Sequence, residues 1–230
     1  MSAPDTPLDT SPLETSPPEP PTDCDRCPRL AAFRAESAAA NPGWFAGAVP
    51  SFGDPAARLL IVGLAPGLQG AHRTGRPFTG DYAGDLLYAM LAQFGWSEGT
   101  YDARADDGLR LRGCMITNAV RCVPPQNKPT GPEINSCRPF LAARVAALPE
   151  LCVILALGKI AHDSVVRAAG LRLKDAPFVH GALHDLGNAL GRGVTLADSY
   201  HCSRYNTNTR RLTPEMFAAV FEQIGHHLDP

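Results

Sequence analysis

The chain has 230 residues, of which 44% are hydrophobic, and its formal net charge at pH 7 is −2. This length and composition suit one globular domain with a full apolar core. The sequence has no apolar run of about 18 residues, which argues against a transmembrane helix. It also starts without the basic and apolar segments of a secretory signal peptide, so we expect a cytoplasmic protein.

The first 22 residues differ in composition from the rest of the chain. Residues 2–21 are rich in Ser, Thr, Pro, Asp and Glu and include seven prolines. Such a segment cannot bury enough apolar surface to offset the entropy of ordering. We therefore predict a disordered tail over residues 1–22 and a single domain over residues 23–230. Residues 1–23 contain five acidic and no basic residues, so the remainder has a net charge of +3.

Short apolar runs rich in β-forming residues predict four buried strands, with helical patterns between them. In chain order the predicted elements are strand Leu59–Leu64, helix Ala83–Phe94, strand Cys114–Val120, helix Pro132–Leu148, strand Leu151–Leu157, helix Lys159–Ala169, strand Val194–Ser199 and a last helix from Thr213. This alternation predicts an α/β fold with three αβα layers and a central, mostly parallel four-stranded sheet. Ligands of such sheets bind beyond the carboxyl ends of the strands.

A glycine-rich loop follows the first predicted strand. The segment Gly63–Asp81 contains five glycines, which let the backbone approach a ligand closely. Its two arginines and its histidine suggest an anionic partner, but neither a P-loop nor a dinucleotide motif is present. Phe78 can stack on a planar ring or plug the core. Asp81 can cap the next helix or act in catalysis.

Polar residues also follow two later strands. Asn118 ends the second strand, and its amide can match the Watson–Crick edge of a base or cap a turn. His201 follows the fourth strand and begins a polar, arginine-containing loop that suits phosphate contacts. No other histidine has a comparable setting. Because the carboxyl ends of parallel strands lie at the same edge of a sheet, we predict that Asn118 and His201 meet the glycine-rich loop in one crevice.

The seven cysteines point to a metal site. Their odd number and the absence of a signal peptide argue against a disulfide framework. Cys24 and Cys27 form a C-x-x-C pair, and a proline-rich loop separates Cys122 from Cys137. Four thiolates suit a [4Fe–4S] cluster or structural zinc, and the wide spacing of the second pair favours iron–sulfur. The alternative is a set of free buried thiols.

Together these motifs resemble the iron–sulfur uracil-DNA glycosylases, specifically the family 5 or type B branch. The resemblance covers residues 24–225 and rests on the four cysteines, the segments 63–67 and 73–81, Asn118 and His201. The related family 4 has a Glu where this chain has Leu64. One departure is Cys202, where the family usually has proline.

The resemblance implies a monofunctional DNA glycosylase that hydrolyses the N-glycosidic bond of uracil, and of other deaminated bases such as hypoxanthine. The target nucleotide would be flipped out of the helix to be reached. The implied base-binding residues are Gly63, Leu64, Ala65, Pro66, Gly67, Phe78 and Asn118. The implied catalytic residues are Asp81, His201 and Asn118. His201 would stabilise negative charge on the departing base, and our hypothesis is that Asp81 positions water or stabilises the sugar cation.

The resemblance also implies the cofactor and the partners. The DNA-binding residues would be Arg73, Ser203, Arg204, Tyr205 and Asn206. The ligands of a [4Fe–4S] cluster, or of zinc as the alternative, would be Cys24, Cys27, Cys122 and Cys137. We expect a monomer that binds DNA containing uracil or other deaminated bases. It would act at the nucleoid and have no membrane partner. Two other functions stay open. One is a non-catalytic module, stabilised by an Fe–S cluster or by zinc, that binds damaged DNA, and the other is a hydrolase that uses Cys202 with His201.

Overall fold

The computed structural model describes residues 18–228, which fold around one central sheet. Its four inner strands are parallel to one another: β2 Leu59–Gly63, β5 Cys114–Asn118, β6 Val153–Leu157 and β8 Thr195–Ser199. They correspond to the four strands predicted from the sequence. The predicted α/β class is therefore confirmed.

Two short antiparallel strands extend the sheet at its edges. β1 Phe52–Gly53 pairs with β5, and β7 Leu183–Asp185 pairs with β8, which gives the strand order β1-β5-β2-β6-β8-β7. The predicted count of four strands was too low, because strands of two or three residues show no hydrophobic period. A separate antiparallel pair joins β3 Ser97–Glu98 to β4 Arg110–Leu111.

The helices of residues 18–228 cover both faces of the sheet. They are α1 Pro28–Ala40, α2 Ala71–Thr74, α3 Tyr82–Gln93, α4 Gly131–Ala146, α5 Lys159–Ala168, α6 Gly187–Leu190, α7 Arg204–Asn208 and α8 Pro214–Leu228. The four predicted helices correspond to α3, α4, α5 and α8, with ends that differ by at most two residues. Within the described residues, no helix has the length and apolarity needed to cross a bilayer.

Side chains that alternate between the two faces of the sheet form two apolar cores, one on each face. Leu59 and Ile61 of β2 pack in one core with α3 and α8, whereas Leu60 and Val62 pack in the other with α4 and α5. Successive side chains of a strand point to opposite faces, so a fully buried strand needs a helical layer on each side. The predicted three-layer arrangement follows from this packing.

The described part of the predicted tail, residues 18–22, contacts the domain. The Glu19 carboxylate accepts hydrogen bonds from the Ser51 backbone N–H at 3.0 Å and from the Arg121 guanidinium at 2.8 Å, and it also pairs with Arg144. Arg121 is only 1% exposed and lies 102 residues away along the chain. This segment is therefore held against the domain by an ion pair whose arginine is buried. Residues 1–17 of the predicted tail lie outside the described residues.

Candidate active site

A cavity of about 420 Å³ opens at the carboxyl ends of the parallel strands. Residues that follow β2, β5 and β8 form its wall, as the topology requires. Ten of the predicted site residues line it: Leu64, Ala65, Pro66, Gly67, Phe78, Asp81, Asn118, His201, Ser203 and Arg204. The sheet therefore brings together side chains that are more than 130 positions apart in sequence.

Gly63 does not line the cavity, but it sets how closely two cavity side chains approach the end of β2. A methyl group at Gly63 would lie 2.4 Å from Asn118 Oδ1 and 2.6 Å from two ring carbons of Phe78. Real Cβ atoms essentially never come so close to their neighbours. The position therefore requires glycine because of a close approach, and the wall depends on it.

Phe78 is both a core residue and a cavity wall. Its side chain is 7% exposed, and its ring stacks on the His201 ring with centroids 5.9 Å apart. Its φ is +52°, in the left-handed region that non-glycine residues seldom adopt. The Tyr101 hydroxyl fixes this turn, because it donates to the Phe78 carbonyl at 3.3 Å and accepts the Gly80 N–H at 3.2 Å. Strained backbone of this kind clusters at functional sites.

Asn118 and His201 present uncommitted polar atoms to the cavity. Neither side chain makes a hydrogen bond to another residue within 18–228, although the His201 carbonyl accepts one from the Asn206 amide at 2.8 Å. Burial lowers the pKa of His201 to about 4. The imidazole is thus neutral at pH 7, with one ring nitrogen as donor and the other as acceptor.

The Asp81 carboxylate caps α3 and also lines the cavity. Its Oδ1 accepts the Gly84 N–H at 3.0 Å, the geometry of a helix N-cap. Its Oδ2 faces the glycine-rich loop, since a methyl group at Gly70 would lie 2.4 Å from it and one at Gly67 3.1 Å. Burial raises the pKa of Asp81 above its usual range. Asp81 is therefore the N-cap of α3, as one of the two sequence interpretations predicted, and its Oδ2 is still available to a ligand.

Four cysteines line a second, small cavity on the N-terminal side of the domain: Cys24, Cys27, Cys122 and Cys137. Cys27 is the residue before α1, Cys137 lies in α4, and none of the four forms a disulfide. The Arg121 N–H donates to Cys137 Sγ at 3.3 Å. In the described chain no three of these sulfurs lie within 4.8 Å of one another. The four thiols therefore line one cavity without forming a close group of three sulfurs.

Comparison with known proteins identifies the family of the chain. The sequence model of the Uracil DNA glycosylase superfamily matches residues 50–225. The chain belongs to this superfamily. It is 47% identical over 205 residues to the "Type-5 uracil-DNA glycosylase" of Thermus thermophilus, a match that covers 86% of this chain and 91% of that protein.

Among more distant relatives, a type-5 enzyme is again more similar to this chain than the type-4 enzyme of the same organism. The "Type-5 uracil-DNA glycosylase" of Pyrobaculum aerophilum is 38% identical over 206 residues, with 88% of each chain covered. The "Type-4 uracil-DNA glycosylase" of the same organism is 32% identical over 179 residues, with 77% of this chain and 76% of that protein covered. The resemblance drawn from the motifs is thus confirmed, and type 5 is favoured over type 4.

Two basic residues of the glycine-rich loop do not face a ligand, which corrects the sequence interpretation. Arg76 is 4% exposed and donates to both Asp107 oxygens at 2.7 and 2.6 Å, which holds the pKa of Asp107 well below its usual range. His72 is fully buried, and its Nε2 lies 3.0 Å from Ser37 Oγ. Of the three, only Arg73 is exposed, and its Nε donates to the Gln69 carbonyl at 2.8 Å.

The cavity also contains a residue that sequence reasoning did not identify. Asn127 lines it from the loop between β5 and α4, in a 3₁₀ turn formed by Pro125–Asn127. Both Gln126 and Asn127 have φ of +57°. Asparagine adopts this left-handed conformation more readily than most residues. The Pro-Pro-Gln-Asn sequence was the available signal for such a turn.

The rim of the glycosylase cavity is formed by α7. Ser203 precedes this helix, and its Oγ accepts the Asn206 N–H at 3.4 Å. The Arg204 guanidinium lies 5.2 Å from the centre of the Tyr82 ring, which also lines the cavity. Tyr205 is 73% exposed, the largest exposure of a bulky apolar side chain within 18–228. Arg73, Tyr205 and Asn206 do not line the cavity, so any contact they make with DNA lies outside it.

Cys202 points away from the cavity. Its side chain is fully buried, and Sγ donates a long hydrogen bond of 3.4 Å to the Ala83 carbonyl. Burial raises the pKa of this thiol far above its usual range, so it stays protonated. A protonated thiol is a poor nucleophile. The hydrolase alternative, which uses Cys202 with His201, is therefore wrong.

Proposed function

We propose that this glycosylase excises uracil from DNA by hydrolysis of the N-glycosidic bond and also accepts other deaminated bases such as hypoxanthine. The observation that carries the proposal is that Asn118, His201 and Asp81 face one cavity with uncommitted polar atoms. A base inside a duplex cannot reach such a cavity, so the nucleotide must leave the stack. The proposal rests on superfamily membership and on this geometry.

His201 acts on the departing base. When the bond between C1′ and the base nitrogen breaks, its electron pair moves onto the base, and negative charge grows on a carbonyl oxygen. The neutral His201 imidazole donates a hydrogen bond to that oxygen without any reorganisation. One such donor contributes about 3–4 kcal/mol to transition-state stabilisation. The Asn118 amide binds the polar edge of the base, and the Phe78 ring stacks on its face.

Asp81 acts on the sugar. Positive charge grows at C1′ as the base leaves, and the carboxylate oxygen that is not used for capping stabilises it. A water molecule then adds to C1′, and its proton passes to the carboxylate. The departed base takes its own proton from solvent, and the Asp81 carboxylic acid returns the proton of the water to solvent, which restores the carboxylate. Burial raises the pKa of Asp81, which makes it a stronger base than an exposed aspartate.

The DNA backbone binds at the cavity rim. Arg73 and the start of α7, with Ser203 and Arg204, supply the donors for phosphates. Tyr205 projects beside them, and we assign it to the gap that the flipped nucleotide leaves in the duplex. The proposed partner is DNA that contains uracil or another deaminated base. The protein acts as a monomer in the cytoplasm.

The four-cysteine cavity fits a [4Fe–4S] cluster better than zinc. Zinc–sulfur bonds of about 2.3 Å would bring tetrahedral ligands to about 3.8 Å from one another, whereas no three of these sulfurs within residues 18–228 lie within 4.8 Å. When bound, the cluster ties the segment before α1 to the loop after β5 and to α4. It takes no part in base release. Purified protein should be brown and contain iron, and a colourless zinc protein with full activity would overturn this assignment.

One assay separates catalysis from binding. The purified holoprotein is incubated with a uracil-containing duplex, which is then treated with hot alkali so that abasic sites become strand breaks. The proposal predicts breaks at uracil, with a parallel duplex that contains hypoxanthine testing the wider substrate range. A module that only binds damaged DNA would retain the duplex without breaks. H226A is the matched control for H201A, because it removes an exposed histidine that does not line the cavity.

A further inference from the structure

A second group of polar side chains lies on the opposite side of the sheet from α3 and α8. Asp198 of β8 and His162 of α5 are fully buried, and His184 of β7 is 15% exposed. One ring nitrogen of each histidine and one carboxylate oxygen of Asp198 all lie within 4.8 Å of one another. None of the three lines the base cavity.

Both ring nitrogens of His162 face oxygen acceptors, although a neutral imidazole has only one N–H to donate. Its Nε2 lies 2.8 Å from the Ala176 carbonyl, which can only accept, so Nε2 carries the hydrogen. In the neutral ring, Nδ1 then presents a lone pair to Asp198 Oδ1 at 2.7 Å. Two acceptors at this distance repel each other in a buried site unless a cation is shared between them. That cation is either a proton, carried by the imidazole or by the carboxyl group, or a metal ion.

The surroundings match the outer shell of a metal site. A metal-bound histidine usually donates its other N–H to a backbone carbonyl or a carboxylate, and His162 does so to Ala176. The second Asp198 oxygen accepts the Val179 N–H at 3.2 Å and also lies 3.1 Å from His184 Nε2. The Phe178 ring packs edge-on against the His162 ring, with centroids 5.5 Å apart. His184 reaches the solvent at the sheet edge, which provides an entry path.

We propose that His162, His184 and Asp198 form a binding site for a divalent transition-metal ion. Two imidazoles and one carboxylate are the donor set of zinc and its neighbours, whereas magnesium and calcium prefer oxygen donors alone. The site joins the edge strand β7, the strand β8 and the helix α5. Its role is structural, because it fastens a three-residue strand to the strand that leads directly to His201.

Zinc uptake by the iron-loaded holoprotein tests the proposal. The protein is dialysed against buffered Zn²⁺, and zinc and iron per chain are measured together by mass spectrometry. The wild type should take up one zinc with its iron content unchanged, which separates this site from the cysteines. H184A should lower the zinc affinity at least about tenfold, since even outer-shell changes cost 10–100-fold. His184 is the residue to change because it lies at the edge strand and is partly exposed.

The control is H226A, which removes an exposed histidine from α8 and should leave zinc uptake unchanged. D198N provides a second test, because it keeps the side-chain volume but replaces the carboxylate donor with a neutral amide, which should also lower the zinc affinity. Added Zn²⁺ should raise the melting temperature of the wild type and of H226A but not that of H184A. Two results would overturn the proposal: a wild type that takes up no zinc, which would assign the shared cation to a proton, or equal uptake by wild type and H184A.

Discussion

Replacement of Gly63 by alanine should disrupt the base cavity by displacing Asn118 and Phe78, while every proposed catalytic side chain is still present. The added methyl group would lie 2.4 Å from Asn118 Oδ1 and 2.6 Å from the Phe78 ring. To restore normal van der Waals contact, each side chain has to move by about 1 Å. A displacement of that size at a reacting centre costs about 100-fold in rate. Overpacking of this kind also lowers the free energy of unfolding by about 1–3 kcal/mol.

The assay is single-turnover release of uracil from a duplex, combined with thermal unfolding of the same preparations. G225A is the matched control, because a methyl group there, in α8, meets no atom within 4 Å. We expect G63A to lose about 100-fold in rate and G225A to retain the wild-type rate. A G63A protein with wild-type rate and stability would refute the reasoning, since Asn118 and Phe78 could then occupy other positions without consequence.

The other predictions concern Asp81, His201 and Tyr205. D81N and D81A should both lose at least about 100-fold in single-turnover rate, whereas only D81A should lose the cap and about 1 kcal/mol of stability; near wild-type rates for both would leave Asp81 as a helix cap alone. Because burial lowers the pKa of His201 to about 4, the ring stays neutral as the pH falls through 6.5, so the wild-type rate should show no step there. H201A should lower the rate about 10²–10³-fold, and a step near pH 6.5 that disappears in H201A would contradict a neutral donor. Y205A should reduce excision from duplex DNA about fivefold or more relative to single-stranded DNA, as expected for loss of one aromatic stack of about 1–3 kcal/mol; equal losses on both substrates would exclude the wedge.

Much of the fold could be predicted because its inner strands are long, buried and apolar. Each of the four runs from Leu59 to Ser199 is bounded by glycine or polar residues, and helical periods separate them. The edge strands β1 and β7 were missed because two or three residues carry no period. The contact between Glu19 and Arg121 could not be found either, since nothing local in a Pro-rich acidic segment indicates a partner 102 residues away.

The site was predictable to the extent that strand ends bring residues together. Topology alone places Asn118 and His201 beside the glycine-rich loop. It does not reveal which loop cations are already paired. The two arginines of the loop suggested an anionic partner, but Arg76 pairs with Asp107, which lies 31 residues later in an irregular segment. Asn127 was missed because its direction depends on two successive left-handed residues, which no glycine marks.

The central claim is that the cavity at the strand ends breaks the bond between uracil and deoxyribose. The most direct measurement quantifies free uracil and abasic sites in the same reaction, with a uracil-containing duplex and an otherwise identical thymine duplex. We predict equal amounts of both products from the uracil duplex, none from the thymine duplex, and a strong reduction in H201A. Tight binding of the uracil duplex by iron-loaded protein, with no free uracil released, would contradict the account.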